Sequence, residues 1–246
     1  MKINVLLSPL NADELYFTGK TTVVIDVLRA TTVILNAFNN GAKEIIPVGS
    51  MEFAMKHSAN AFGGISILGG ERNTKKIDGF TLGNSPTEYT EENVSGKSIV
   101  YFTTNGSKAI VKAKFSENLL ICSFNNLESV ARHLLGLKTD VQILCAGSNG
   151  MFCMEDTVCA GRLIEEIQNL GESVEITDAG KASLELYKVF GQDINRMLKE
   201  TEHGKTLIEN GFQEDIDFCS SVNNIDLVPF YNAGTIKVIK PENSSQ

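Results

Sequence analysis

The sequence predicts an α/β fold of three layers, α/β/α, around a parallel or mixed sheet that admits two intertwined subdomains. Three observations predict it. Short β-branched runs alternate with helical periodicities along most of the chain. The junctions between them carry turn and cap residues. No Pro/Ser/Gly-rich linker or internal repeat divides the 246 residues, so 1–246 reads as one unit whose internal boundary composition does not reveal. With 42% hydrophobic and 21% charged residues, the chain is excluded from the disordered and low-complexity classes and has enough apolar surface for a sizeable core.

The elements follow in order. The opening MKINVLLSPL has an apolar run soon broken by Pro and no cleavage pattern, so it reads as a first strand and not as a signal peptide. Thr21–Asp26 is continuous and β-branched, as expected of a parallel strand covered on both faces. An amphipathic helix is expected over Ala30–Asn39, closed by Gly41. Glu44–Val48 reads as a strand, Glu52–Asn60 as a helix, and Ile65–Leu68 as a short strand ending in Gly69-Gly70-Glu71-Arg72. Ser85-Pro86-Thr87-Glu88 has the pattern of a helix-opening capping box. Ser98–Phe102 is an expected strand, followed by Thr103-Thr104-Asn105-Gly106 and a helix capped by Ser107. Asn118–Cys122 and Val141–Cys145 read as strands around a helix near Leu127–Leu135. Asp156–Leu170 is the longest clean helix, with Val158, Leu163, Ile164 and Ile167 on one face. Ser173–Ile176 is a candidate strand, and Ala179–Asn210 is mostly helical. Leu227–Tyr231 and Thr235–Ile239 form a hairpin through Asn232-Ala233-Gly234, and Pro241–Gln246 is expected to fray.

The net charge of −8 repels phosphate backbones and anionic lipid, so neither nucleic acid nor a membrane surface is an expected partner. A small anionic substrate is still allowed, because its site needs only a few local cations. Five cysteines without a CxxC point to free thiols and a cytoplasmic, reducing setting. The sequence does not set the oligomeric state, and a homodimer is compatible with it.

In open α/β sheets ligands bind beyond the carboxyl ends of the strands, and the unusual residues gather there. Asp26 and Arg29 follow one strand, Glu71 and Arg72 a second, and Thr103-Thr104-Asn105 a third. Ala146-Gly147-Ser148-Asn149-Gly150 follows a fourth and leads to Glu155-Asp156. Carboxylates, guanidinium groups and glycine-rich backbone N–H donors together suit a phosphate site assisted by Mg²⁺, a hard cation held by one or two carboxylates and by the substrate. Stronger signatures are missing: there is no P-loop, no GxGxxG, no HExxH, and no cysteine followed six positions later by arginine. Leu28 stands where the paired-aspartate phosphatase motif needs its second carboxylate.

Asp26-Val27-Leu28-Arg29-Ala30-Thr31-Thr32, Gly70-Glu71-Arg72, Leu82-Gly83-Asn84-Ser85-Pro86, Thr103-Thr104-Asn105-Gly106 and Cys145-Ala146-Gly147 resemble the 2-phosphosulfolactate phosphatase family. So does Glu155-Asp156-Thr157 followed by Ala160-Gly161. The resemblance covers nearly the whole chain in the family's order. It implies Mg²⁺-dependent hydrolysis of (2R)-phosphosulfolactate to sulfolactate and phosphate, a step of coenzyme M biosynthesis in methanogens. The loop Asn73-Thr74-Lys75-Lys76 departs from the small residues and glycine common in the family.

The roles then expected are these. Asp26 is metal ligand or nucleophile, and the absence of a paired carboxylate favours the ligand. Glu71 and Asp156 are further candidate metal ligands. Glu155 or Asp156 is the candidate proton donor to the leaving alkoxide. Arg29 and Arg72 grip phosphate and sulfonate, while Asn105, Ser107 and Gly147 offer oxyanion contacts. Two other readings compete: a phosphatase for another small phosphorylated hydroxy acid, and a non-catalytic small-anion-binding protein. The second has little use for several carboxylates beside an anion.

Overall fold

The computed structural model describes residues 1–10, 12–57, 66–171 and 173–239. Its strands are β1 (Lys2–Leu6), β2 (Thr21–Ile25), β3 (Glu44–Pro47), β4 (Ser66–Arg72), β5 (Lys75–Lys76), β6 (Ser98–Phe102), β7 (Asn118–Cys122), β8 (Val141–Cys145), β9 (Glu175–Ile176), β10 (Pro229–Asn232) and β11 (Thr235–Val238). Its α-helices are α1 (Ala30–Asn39), α2 (Met51–His57), α3 (Glu91–Val94), α4 (Gly106–Lys112), α5 (Leu127–Leu137), α6 (Met154–Asn169), α7 (Asp178–Phe190), α8 (Ile194–Glu200), α9 (Glu202–Glu209) and α10 (Gln213–Cys219).

All eleven strands join one mixed sheet in the order β5-β4-β6-β3-β11-β10-β7-β2-β8-β1-β9. Two parallel blocks, β4-β6-β3 and β7-β2-β8-β1-β9, are bridged by the antiparallel C-terminal hairpin β10-β11. Ala233 and Gly234 both have positive φ, the conformation that a tight two-residue hairpin turn requires. β2 pairs in parallel with both β7 and β8, with Ile25 opposite Cys122 on one side and Cys145 on the other. The segments after these three strands therefore leave the sheet side by side.

β2 shows why its sequence is unbroken in apolar character. Val23 and Ile25 enter one core cluster, with α5, α6 and α7, while Val24 enters the opposite one, with α1 and α4. A strand covered on both faces has no polar side to alternate with. Each such buried Val or Ile contributes roughly 1.5–3 kcal/mol, which fixes the strand ends that carry the site. The fold is three-layer α/β/α, as expected.

Several local expectations need correction. The strand expected over Ile65–Leu68 runs on to Arg72; Ile65 itself, the end of the helix expected over Glu52–Asn60, and the tail Pro241–Gln246 lie outside the described residues. Gly69 and Gly70 read as a strand stop but serve close packing instead. A Cβ on Gly70 would stand 1.8 Å from the Phe102 carbonyl oxygen. Ser85 opens only a 3₁₀ turn (Pro86–Glu88); its hydroxyl donates to Asp215 Oδ1 at 2.6 Å, and Glu88 accepts from Gly83 N, so no capping box forms. Ser107 lies inside α4, behind Asn105 in the cap position, and its hydroxyl is engaged with Thr103 and Val48. α6 begins two residues early, at Met154. α10 has no counterpart among the expected elements; the helical stretch expected over Ala179–Asn210 resolves into α7, α8 and α9.

Candidate active site

The chain beyond β2 turns tightly onto α1. Asp26 anchors that turn: its Oδ1 accepts from Ala30 N at 3.2 Å, and its backbone N–H donates to Thr31 Oγ1 at 3.0 Å. Oδ2 takes no hydrogen bond from a described residue and faces the start of α4, where a Cβ on Gly106 would come within 2.4 Å of it. Glu71, at the end of β4, accepts from Thr104 N at 2.6 Å through Oε1, and from Thr74 N at 2.9 Å and Thr104 Oγ1 at 3.1 Å through Oε2. Both carboxylates line one cavity of about 410 Å³, together with Arg29, Asn84, Thr103 and Asn105.

Arg29 is 1% exposed and locked on three sides. Nη1 donates to Asp215 Oδ2 at 2.6 Å, Nη2 donates to the Thr74 carbonyl at 3.0 Å, and the guanidinium plane lies 4.4 Å from the Phe212 ring centroid. Its Nε is buried without a partner. An unpaired buried donor costs about 1–3 kcal/mol, so the Arg29 position is held at a cost that its ion pair with Asp215 offsets.

Asp156 works from behind the cavity wall. Its Oδ1 accepts from Val27 N at 2.9 Å and its Oδ2 from Gly147 N at 3.0 Å, which ties the loop after β2 to the loop after β8. Gly147 suits this place twice over. Its φ is +67°, and a Cβ there would stand 2.1 Å from the Met151 carbonyl oxygen. Burial, followed by the charge of Glu155, pushes Asp156 up to about 7. Burial likewise raises Glu155 to about 7. Asp26 is also pushed well above the carboxylate range, by burial and then by Asp156. Crowded acids of this kind hold protons or a cation.

A second cavity, also about 410 Å³, adjoins the first and shares Ser148, Glu202 and His203 with it. Its walls are more apolar, with Phe152, Cys153, Phe190 and Met197, and Glu155 lines it. Among the described residues no group of three or more His, Cys, Asp or Glu is placed to hold a metal ion. Two hard carboxylates on one wall, Asp26 with an uncommitted oxygen, nevertheless match the donor set of Mg²⁺, which keeps most of its shell for water and substrate.

The family model for 2-phosphosulpholactate phosphatase matches residues 9–234. The chain belongs to the 2-phosphosulfolactate phosphatase family. A protein of Clostridium acetobutylicum described as a probable 2-phosphosulfolactate phosphatase is 40% identical over 236 residues, covering 96% of this chain and all of the relative. Proteins of the same description from Clostridium beijerinckii and Caldanaerobacter subterraneus subsp. tengcongensis are 38% and 41% identical, covering 96% and 89% of this chain and 99% and 90% of those relatives. Membership in the 2-phosphosulfolactate phosphatase family makes the chain a phosphoric monoester hydrolase. No helix among the described residues is long and apolar enough to cross a membrane.

For this 2-phosphosulfolactate phosphatase family member, the structure brings Asp26, Arg29, Glu71 and Asn105 to one cavity. Ser107 and Gly147, expected at the substrate, do not line the cavity: their N–H groups donate to Thr103 Oγ1 and Asp156 Oδ2; Asp156 stands behind it, and Glu155 faces the neighbouring cavity. Arg72 is not brought to the cavity. Side chains alternate along β4, so with Glu71 turned inward the Arg72 side chain is exposed. Sequence reasoning missed Asp215, which holds Arg29, and Glu202 and His203, which line both cavities.

Proposed function

We propose that the protein is a Mg²⁺-dependent 2-phosphosulfolactate phosphatase, converting (2R)-phosphosulfolactate to sulfolactate and phosphate in coenzyme M-type biosynthesis. One observation carries the reading: Asp26, Glu71 and a guanidinium with an unpartnered buried N–H share the wall of one cavity. The acids match a divalent cation, and the guanidinium matches a phosphoryl oxygen.

Asp26 and Glu71 would hold the ion, which, when bound, supplies charge neutralisation and a more acidic water. Arg29 lines the cavity with a guanidinium that Asp215, Thr74 and Phe212 keep from following the ligand. Thr104 and Thr74 hold the Glu71 carboxylate through backbone N–H groups, so its oxygens need no reorganisation when charge develops. Glu155, pushed up to about 7, lines the adjoining cavity and is the proposed reserve of protons for the leaving alkoxide.

Phosphate release from phosphosulfolactate measures this directly. Activity is expected with Mg²⁺ and to vanish on chelation, and Asp26→Asn is expected to lower kcat by a factor on the order of 10³ or more. Full turnover in chelator removes the metal from the reaction, and full turnover in Asp26→Asn removes the site. The competing substrate class is separated by the same assay on 2-phospholactate, which lacks the sulfonate.

A further inference from the structure

The proposed substrate carries phosphate, carboxylate and sulfonate, yet among the described residues lining the cavity Arg29 is the one permanent cation, and Asp215 already neutralises it. Asp26, Glu71 and Glu202 on the same wall are acidic. Arg72, the expected second grip, faces solvent. A divalent ion between Asp26 and Glu71 would answer the phosphoryl group and leave the far end of the leaving acid without a positive partner.

His203 is the other basic side chain on this wall. It is the second residue of α9, half-buried, and it lines both cavities, so it stands at their junction. Its imidazole makes no hydrogen bond, ion pair or ring contact with a described residue. An imidazole with both nitrogens uncommitted at a cavity wall has them left for a ligand. We propose that His203 is a substrate-binding residue that contacts the sulfonate of the leaving acid and so sets the preference for sulfonated substrates. The assignment rests on the phosphatase reading above.

The surroundings support this role. Arg29 beyond β2, Glu71 on β4 and Glu202 on α9 share the first cavity with His203, and Glu155 on α6 and Glu200 on α8 share the second. Burial and then the charge of Arg29 lower its pKa, against the pull of Glu71, which favours the neutral imidazole. An arriving polyanion favours the charged form. His203 then adds a positive charge at the junction when an anionic ligand is present.

The test compares wild type, His203→Gln and His203→Lys on phosphosulfolactate and on 2-phospholactate, with Mg²⁺ present. His203→Gln is expected to raise KM for phosphosulfolactate by about tenfold or more while leaving kcat within a few-fold. On 2-phospholactate the same variant is expected to change KM by less than about threefold, because the sulfonate contact is absent there. His203→Lys, a permanent cation, is expected to restore KM on the sulfonated ester. An equal effect on the two esters, or none on either, overturns the assignment. If the wild type hydrolyses neither ester, the phosphatase reading fails, and calorimetric titration with sulfolactate decides the role of His203: loss of binding in His203→Gln supports it, and equal binding overturns it.

Discussion

Asp215 shows how a single side chain can govern the site without lining its cavity. It is 2% exposed, accepts from Arg29 Nη1 and from Ser85 Oγ, and so joins α10 to both the loop after β2 and the Ser85 turn. Removing one member of a buried ion pair leaves an uncompensated charge, typically at about 3–5 kcal/mol. Asp215→Ala is expected to lower stability by that amount in chemical unfolding and to raise KM, because the freed guanidinium loses its aim. Asp215→Asn, which can still accept from Arg29, is expected to lose less than Asp215→Ala. Equal stability of Asp215→Ala and wild type would show that the pair holds nothing. Asp26, Arg29 and Glu71 were readable in the sequence, because a carboxylate or guanidinium at the carboxyl end of an apolar strand, or in the turn that follows it, has a fixed address at the sheet edge. Asp215 and His203 were not readable. They sit 186 and 174 residues beyond Arg29, on short helices whose local pattern says nothing about a sheet edge so distant in sequence.

At the scale of the element, β4 is where the sequence misled and where the structure explains itself. Gly69-Gly70 looked like punctuation, yet the strand continues through them because β6 and Tyr89 come too close for any side chain. Gly70 has φ +140°, and a Cβ there meets the Phe102 carbonyl. The next residue is Glu71, so this close approach is what delivers a carboxylate beside Thr104. Gly70→Ala therefore combines overpacking with a backbone conformation unsuited to alanine, together roughly 3 kcal/mol or more. It is expected to depress the unfolding midpoint and to reduce Mg²⁺ affinity. Gly96→Ala is a fitting control: φ there is +71°, but no atom lies within 4 Å of the added Cβ, so it carries backbone strain alone. If both variants lose stability equally, the contact with Phe102 is not what fixes β4. The helices closest to the sheet were easier to read than β4. α1 matched its expected span, with Gly41 just past its end at φ +83°, although it is buried all round from Ala30 to Phe38 instead of on one amphipathic face, whereas Gly70 of β4 answers to Phe102, 32 residues away.

Across the whole molecule, one mixed sheet gathers acidic groups from distant strands into a region with little water to keep them charged. Glu155 and Asp156 titrate together near pH 7 in the fold, against about 4 in an unfolded chain. The sign follows from proton counting. Between about pH 4 and 7 the folded state holds protons that the unfolded state has lost, so unfolding releases protons and stability falls as pH rises, levelling off above the folded values. His133 and His203, with lowered pKa values, act in the opposite direction, increasingly as pH falls through about 6.5 and the unfolded histidines charge. The clearest comparison is therefore pH 6.5 against pH 8 in chelator, where the two acids change most and the unfolded histidines, half charged at about pH 6.5, oppose them more weakly. A Tm lower at pH 8 by roughly 3 °C is expected from thermal melts. Glu155→Gln keeps the shape and removes one titrating group, so it should flatten that slope. A Tm that rises from pH 6.5 to 8 would mean that the two carboxylates are already ionised in the fold, and that the cluster is solvated enough to dispense with protons and cation alike.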